Sequence, residues 1–244
     1  MAVRQPRLHN AGVTAKTTLN PPPASTALPV ILLTGFDAFG GDTLNPSWLA
    51  VQALKGEIIT GHAVIAAQLP TEFAASAKKL VSLLRQHQPV LVIAVGQAGG
   101  RNALSLERVA INIQDARIPD NAGAQPIDLP VNRRGPAAYF STLPIKAMQQ
   151  AIEAEGVPAE ISQTAGTFVC NHVFYALMHH LHTSTNASTP GRKLTRGGFI
   201  HVPYLPGQGK PHMALADIVR GLRAACACAL STHKDVALGA GAIS

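Results

Sequence analysis

From Pro29 onward the chain alternates short, nearly continuous apolar runs with longer stretches in which apolar residues return every three or four positions. The runs read as strands buried on both faces and the stretches as amphipathic helices. Val30-Ile31-Leu32-Leu33 is the first strand and Ala63 to Gln68 the second; Val90-Leu91-Val92-Ile93-Ala94-Val95, ending at Gly96, is the most strand-like run of the chain. Asn45-Pro46 supplies an N-cap and a first helical residue for a helix through Leu54. Thr71 to Gln86 is helical, with Phe73, Ala77, Leu80, Val81 and Leu84 at helical spacing. Arg108 to Ile113 reads as extended, and a long loop rich in Asp, Asn, Gly and Pro runs on to Pro136. A helix from Pro144, a strand near Ala159 to Gln163, a helix from about Cys170 to Leu181, a strand from Gly198 to Val202 and a closing helix from Met213 to Leu230 complete the pattern. Such alternation predicts an α/β fold, a three-layer αβα sandwich around a mostly parallel, mixed and twisted sheet. Ligands of such sheets bind beyond the carboxyl ends of the strands.

Composition narrows this picture. Of 244 residues 47% are hydrophobic and 14% charged, enough apolar material for a substantial core. A single domain over residues 29–235 is expected, preceded by a basic, Pro-rich disordered tail over 1–28 and followed by a flexible tail over 236–244. No uninterrupted apolar stretch approaches the roughly 18 residues of a membrane span. The formal net charge of +7 raises nucleic acid as a partner. Its basic residues are scattered, however, with no zinc-finger spacing, basic-region helix or aromatic RNA-binding motif, so no nucleic-acid partner is expected. The three cysteines, Cys170, Cys226 and Cys228, make no disulfide framework, which fits a reducing, cytoplasmic compartment.

Three residues have the chemistry and placement for a thiol site. Cys170 follows a turn and opens a helix, where partial positive charge and unpaired N–H groups lower a thiol pKa and can hold an oxyanion. A buried structural cysteine is the alternative. Among ten histidines, His201 ends a strand, where a base belongs in this architecture. His172 should point away from the thiol, because residues two apart on a helix do not share a face. His179, His180 and His182 read as surface histidines with no local carboxylate to complete a metal site. Glu107 lies at the mouth of an apolar strand after the turn Gly96-Gln97-Ala98-Gly99-Gly100-Arg101; it either orients the base or pairs with Arg108 or Arg117. The loop Gly35-Phe36-Asp37-Ala38-Phe39-Gly40-Gly41 lacks phosphate-cradling residues. Its phenylalanines suit an apolar ligand group or ordinary core packing.

Taken together, the segments resemble pyroglutamyl peptidase type I. The matching stretches are Leu33 to Gly41, Asn45-Pro46-Ser47-Trp48, Val95 to Arg101, Glu107 to Asn112, Ala116-Arg117-Ile118-Pro119-Asp120-Asn121, Gly166 to His172 and Gly198 to Tyr204, in order over about residues 30–230. The resemblance implies a cysteine peptidase that removes an amino-terminal pyroglutamyl residue, with Cys170 as nucleophile, His201 as base and Glu107 as orienting acid. It implies Phe36 and Phe39 around the lactam ring and Arg117 near the reacting carbonyl, and it extends the binding set to Asn45, Gln97, Phe168 and Val169. It implies no metal or cofactor, small pyroglutamyl peptides as substrates, and a homo-oligomer, commonly a tetramer. Ala38 stands where the family often has proline, and Thr183 to Arg196 is longer than typical. A thiol amidohydrolase of another small amide and a non-catalytic small-ligand-binding protein are the other functions these residues would suit.

Overall fold

The computed structural model describes residues 1–2, 28–185 and 194–241. The tail expected to be disordered lies almost wholly outside them, as do the middle of the Thr183–Arg196 stretch and residues 242–244. In chain order the described residues form β1 (Val30–Phe36), α1 (Pro46–Ala53), β2 (Ile58–Ile59), β3 (His62–Leu69), α2 (Phe73–His87), β4 (Leu91–Gln97), β5 (Leu104–Glu107) and β6 (Val109–Ile111). They continue with β7 (Ala138–Phe140), α3 (Ile145–Ala154), β8 (Ala159–Ser162), α4 (Val169–Thr185), β9 (Arg196–Val202) and α5 (Leu215–Ser231).

Seven strands make one sheet in the order β2-β3-β1-β4-β9-β5-β8. β3, β1, β4 and β9 are mutually parallel, as are β5 and β8, whereas β2 runs against β3 and β5 against β9. Consecutive residues of β1, β4 and β9 point to opposite faces and are apolar on both, so each face carries its own core. On one, Leu33, Ile93 and Ile200 meet α1, α3 and α5 through Val51, Met148 and Leu222. On the other, Leu32, Val92 and Phe199 meet α2 and α4 through Leu80, Phe174 and Leu177. This is the three-layer αβα sandwich around a mostly parallel, mixed sheet.

Two departures from the expected pattern matter for function. The extended segment expected from Arg108 begins earlier and is two strands. β5 ends at Glu107 within the main sheet, and β6 leaves it to pair with β7. β2 and β7, of two and three residues, are too short to register as periodic runs.

Local chemistry fixes the loops at the carboxyl ends of β1 and β3. The Asn45 side chain accepts from Ser47 N–H (3.1 Å) and Ser47 Oγ (2.8 Å), as an N-cap should. Ser47 Oγ in turn accepts from Phe36 N–H at 3.0 Å. A Cβ on Gly35 would lie 2.6 Å from the Trp48 backbone, so only glycine lets α1 press on the end of β1 here. α2 has no cap from its own Glu72; Asp120 supplies one from the 112–131 loop, its Oδ2 accepting from Phe73 N–H at 2.8 Å. Beyond α5, Asp235 accepts from the N–H groups of Lys146 and Ala147 at the start of α3.

Candidate active site

Cys170 is the second residue of α4, at the helix end that carries unpaired N–H groups. Asn171 locks this end in place: its amide donates to the carbonyls of Ile111 and Ile113 and accepts from Ile111 N–H. The thiol sits over β4. A Cβ on Gly96 would lie 2.8 Å from Cys170 Sγ, so the absence of a side chain there is what admits the sulfur. Gly96 is the β4 residue in register with His201 of β9. Nucleophile and imidazole thus face the same patch of the sheet.

Glu107 approaches from the other side of β9. Because β5 is antiparallel to β9, Glu107 is paired with Phe199 and His201 with Ser105. Glu107 and His201 are therefore diagonal neighbours on one face, a span that a long side chain bridges. Glu107 Oε1 lies 2.7 Å from His201 Nδ1. A carboxylate only accepts, so Nδ1 carries the hydrogen and Nε2 keeps the lone pair of a base. The same Oε1 accepts from Arg101 Nη1 at 2.7 Å, and Arg101 Nη2 donates to the Thr164 carbonyl at 3.2 Å. Neither Arg108 nor Arg117, the alternative partners, holds the acid; Arg108 donates to Gln163 instead.

The electrostatics correct one expectation. Burial pushes the Cys170 thiol up to about 12, the Glu107 charge adds to the rise and the Arg101 charge opposes it. Burial thus opposes the lowering expected of a helix terminus. An adjacent base that takes the proton offsets that rise.

The expected binding residues fall into three groups. Phe39 and Phe168 are half-buried, with ring centroids 6.1 Å apart, and Phe73 meets Phe168 edge-on at 5.3 Å. These form an apolar wall beside the start of α4. Phe36 and Val169 lie deeper, at 2% and 0% exposure, with Phe36 packed on Phe199. Asn45, Gln97 and Arg117 are polar. Asn45 is 4% exposed and spends its side chain on the α1 cap and on the Asp37 carbonyl (2.9 Å). Gln97 ends β4 and bonds Asp42 at 3.2 Å. Arg117 is exposed on the 112–131 loop, which is anchored to the segment before Cys170 by Asp115 N–H to the Thr167 carbonyl (3.0 Å) and Thr167 Oγ1 to the Asp115 carbonyl (2.7 Å).

His172 points into the α2 side of the core, edge-on to Phe73, as its spacing from Cys170 predicts. His179 is more than a surface histidine. It stacks on Tyr175 and bonds both Tyr139 and Asn132, tying α4 to β7 and the 112–132 segment. Among the described residues no three His, Cys, Asp or Glu side chains group as a metal site. Arg101 carried no assigned role in the sequence. Its only signal there was a cation closing the glycine turn six residues before a buried acid.

Comparison with known proteins gives the family. Residues 30–232 match the family described as pyroglutamyl peptidase. A pyrrolidone-carboxylate peptidase of Cupriavidus pinatubonensis is 56% identical over 211 residues, covering 84% of this chain and 95% of that protein. One of Klebsiella pneumoniae is 52% identical over 217 residues, covering 87% and 98%. The crystal structure of pyroglutamyl peptidase I from Bacillus amyloliquefaciens is similar at a TM-score of 0.81 and 44% identity, covering 87% of this chain and 100% of that one. The chain belongs to the pyroglutamyl peptidase family.

Proposed function

We propose that Cys170, His201 and Glu107 carry out the reaction of this family of cysteine peptidases, hydrolysis of the amide bond after an amino-terminal pyroglutamyl residue. The observation that carries the assignment is the alignment of three strands. Cys170 Sγ rests over Gly96, Gly96 is in register with His201, and His201 Nδ1 is 2.7 Å from Glu107. His201 Nε2 takes the Sγ proton and sulfur attacks the pyroglutamyl carbonyl. The oxyanion forms beside the first N–H groups of α4, Cys170 N–H among them, and the family resemblance adds Arg117, on the loop bonded to Thr167, as a cation for it. The imidazolium then protonates the leaving amine. Water activated by His201 cleaves the thioester, freeing pyroglutamate and restoring the thiol. Glu107 keeps the imidazole turned and stabilises its charged form. None of these steps calls on a metal or cofactor.

The aromatic wall supports the choice of substrate. Pyroglutamate is flat, uncharged and lacks an α-ammonium, so Phe39 and Phe168 suit it, while backbone groups near Gln97 would pair with the lactam's polar edge. A proline amino terminus keeps the ring but carries a charge and no lactam carbonyl. Unpaired buried polar groups cost roughly 1–3 kcal/mol each, and desolvating the ammonium costs more. Peptides beginning with proline or glutamine should be cleaved at least about a hundredfold more slowly, read as kcat/KM on matched amides. Comparable rates would favour a different thiol amidohydrolase, and no turnover at all a ligand-binding protein. His201→Ala should lose on the order of 10²-fold or more in kcat and Glu107→Gln less; a larger loss from His172→Ala would mean a different base.

Assembly and compartment follow as parts of the same reading. Ile113, Ile118, Ile127 and Leu129 are 41%, 44%, 67% and 49% exposed on one loop, an apolar surface that supports a homo-oligomer, in keeping with a tetramer. Sedimentation should show a species larger than the monomer, reduced by Ile127→Asp; a monomer for the unaltered chain would refute it. The three free cysteines support a reducing, cytoplasmic setting.

A further inference from the structure

A triad explains one hydrogen bond of Glu107 and leaves the rest of this residue unexplained. The side chain is fully buried, and its Oε2 has no hydrogen-bond partner among the described residues. A buried carboxylate persists only when charge and hydrogen bonds hold it. His201 supplies one bond, and the other comes from Arg101, 2.7 Å from the same Oε1. We propose that Arg101 is a positioning residue and a fourth member of the site, aiming the Glu107 carboxylate at His201 and tethering it to the segment that delivers Cys170. The proposal rests on the catalytic roles assigned above.

The geometry suits a guanidinium and not another cation. Nη1 grips the acid, while Nη2 donates to the Thr164 carbonyl at 3.2 Å. Thr164 opens the turn into α4: its Oγ1 accepts from Gly166 N–H at 3.1 Å, and Thr167 next to it is bonded to Asp115. The two arms of one planar fork therefore join the end of β5 to the turn before the nucleophile. With one arm missing, the carboxylate could rotate and offer its orphaned oxygen, and the base would lose its fixed direction. The Arg101 side chain is 25% exposed, so its charge keeps contact with solvent while its tip works inside.

Arg101 also completes the charges around the sulfur. Glu107 of β5 raises the thiol and Arg101 lowers it. His201 faces it from β9, and Asp115 and Arg117 stand on the loop bonded to Thr167. β4 contributes the uncharged Gly96 and Gln97, and His172 of α4 faces away. Arg101 thus offsets a carboxylate that would otherwise oppose formation of the thiolate.

The test compares wild type, Arg101→Met and Arg101→Lys, with Cys170→Ser as control. For each, kcat and KM are measured on a pyroglutamyl amide reporter, together with thermal melting and the rate of thiol alkylation by iodoacetamide between about pH 7 and pH 10. Arg101→Met should lose on the order of 10²-fold in kcat, with KM changed less than about threefold. Its alkylation should be several-fold slower at a given pH. Arg101→Lys should restore alkylation but leave kcat roughly tenfold down, because an ammonium has no second arm for Thr164. A Met variant that loses kcat only in proportion to folded protein, with the folded fraction alkylating as wild type does, overturns the proposal. If the Met variant does not fold, wild-type kcat in Arg101→Lys does the same. An active Cys170→Ser enzyme would instead overturn the underlying roles, whatever Arg101 does.

Discussion

Gly96 shows how one missing side chain sets the chemistry. A Cβ there would come within 2.8 Å of both Cys170 Sγ and the Phe199 ring, so the sulfur occupies space that any other residue would fill. Gly96→Ala should displace the thiol and cost on the order of 10²-fold in kcat. Its overpacking penalty should be only about 1–3 kcal/mol, measured as folded stability in denaturant. Near-normal kcat would mean that the sulfur reacts from another position. Cys170, His201 and Glu107 stand out in the sequence by their places near element ends and by the family resemblance, and the structure gathers them at one patch of the sheet. The seat over Gly96 does not stand out in the sequence, because it depends on which strand lies beside which. A helix start favours the thiolate and burial opposes it, a competition that position in the sequence does not show.

At the level of elements, the antiparallel β5 is what lets an acid on one strand reach a base two positions along its neighbour. The sequence pattern identified the parallel β1, β4 and β9, whose long apolar runs need no partner to be recognised. It missed β5 because Leu104-Ser105-Leu106-Glu107 is four residues long and ends on a charge. The 112–131 loop likewise reads as irregular, yet Asp120 caps α2 across 47 residues and Asn121 bonds the Ala38 carbonyl next to Phe39. This loop therefore holds both sides of the aromatic wall, since Phe73 at the capped end packs on Phe168. Asp120→Ala should cost about 1–2 kcal/mol through the lost cap. It should also raise KM for pyroglutamyl substrates more than it lowers kcat. A stability loss with unchanged KM would show that the cap does not reach the wall.

Across the whole molecule, folding confines one histidine where it cannot easily charge. His172 has no hydrogen-bond partner at either ring nitrogen among the described residues, and burial lowers it to about 4, with the Phe73 backbone opposing. The unfolded chain binds this proton near pH 6.5, so the native state is at no disadvantage above that value. As pH falls from about 6.5 toward 4, the unfolded state gains a proton that the native state refuses, and stability declines by up to roughly 3 kcal/mol. His172→Phe keeps the packing against Phe73 and removes the titration. Its denaturant stability should fall less between neutral pH and about pH 4.5 than that of wild type. Equal acid sensitivity would assign the effect to other groups.

The central claim is that a single thiol, Cys170, turns this sheet into a pyroglutamyl peptidase. The most direct measurement is amine release from a pyroglutamyl amide reporter by wild type and by Cys170→Ser, each shown to be folded by its melting curve. The account predicts steady turnover by wild type, loss of nearly all of it in Cys170→Ser, and retention in Cys226→Ala and Cys228→Ala. Turnover by folded Cys170→Ser at the wild-type rate would contradict it, as would a folded, reduced wild-type enzyme that leaves the pyroglutamyl amide intact.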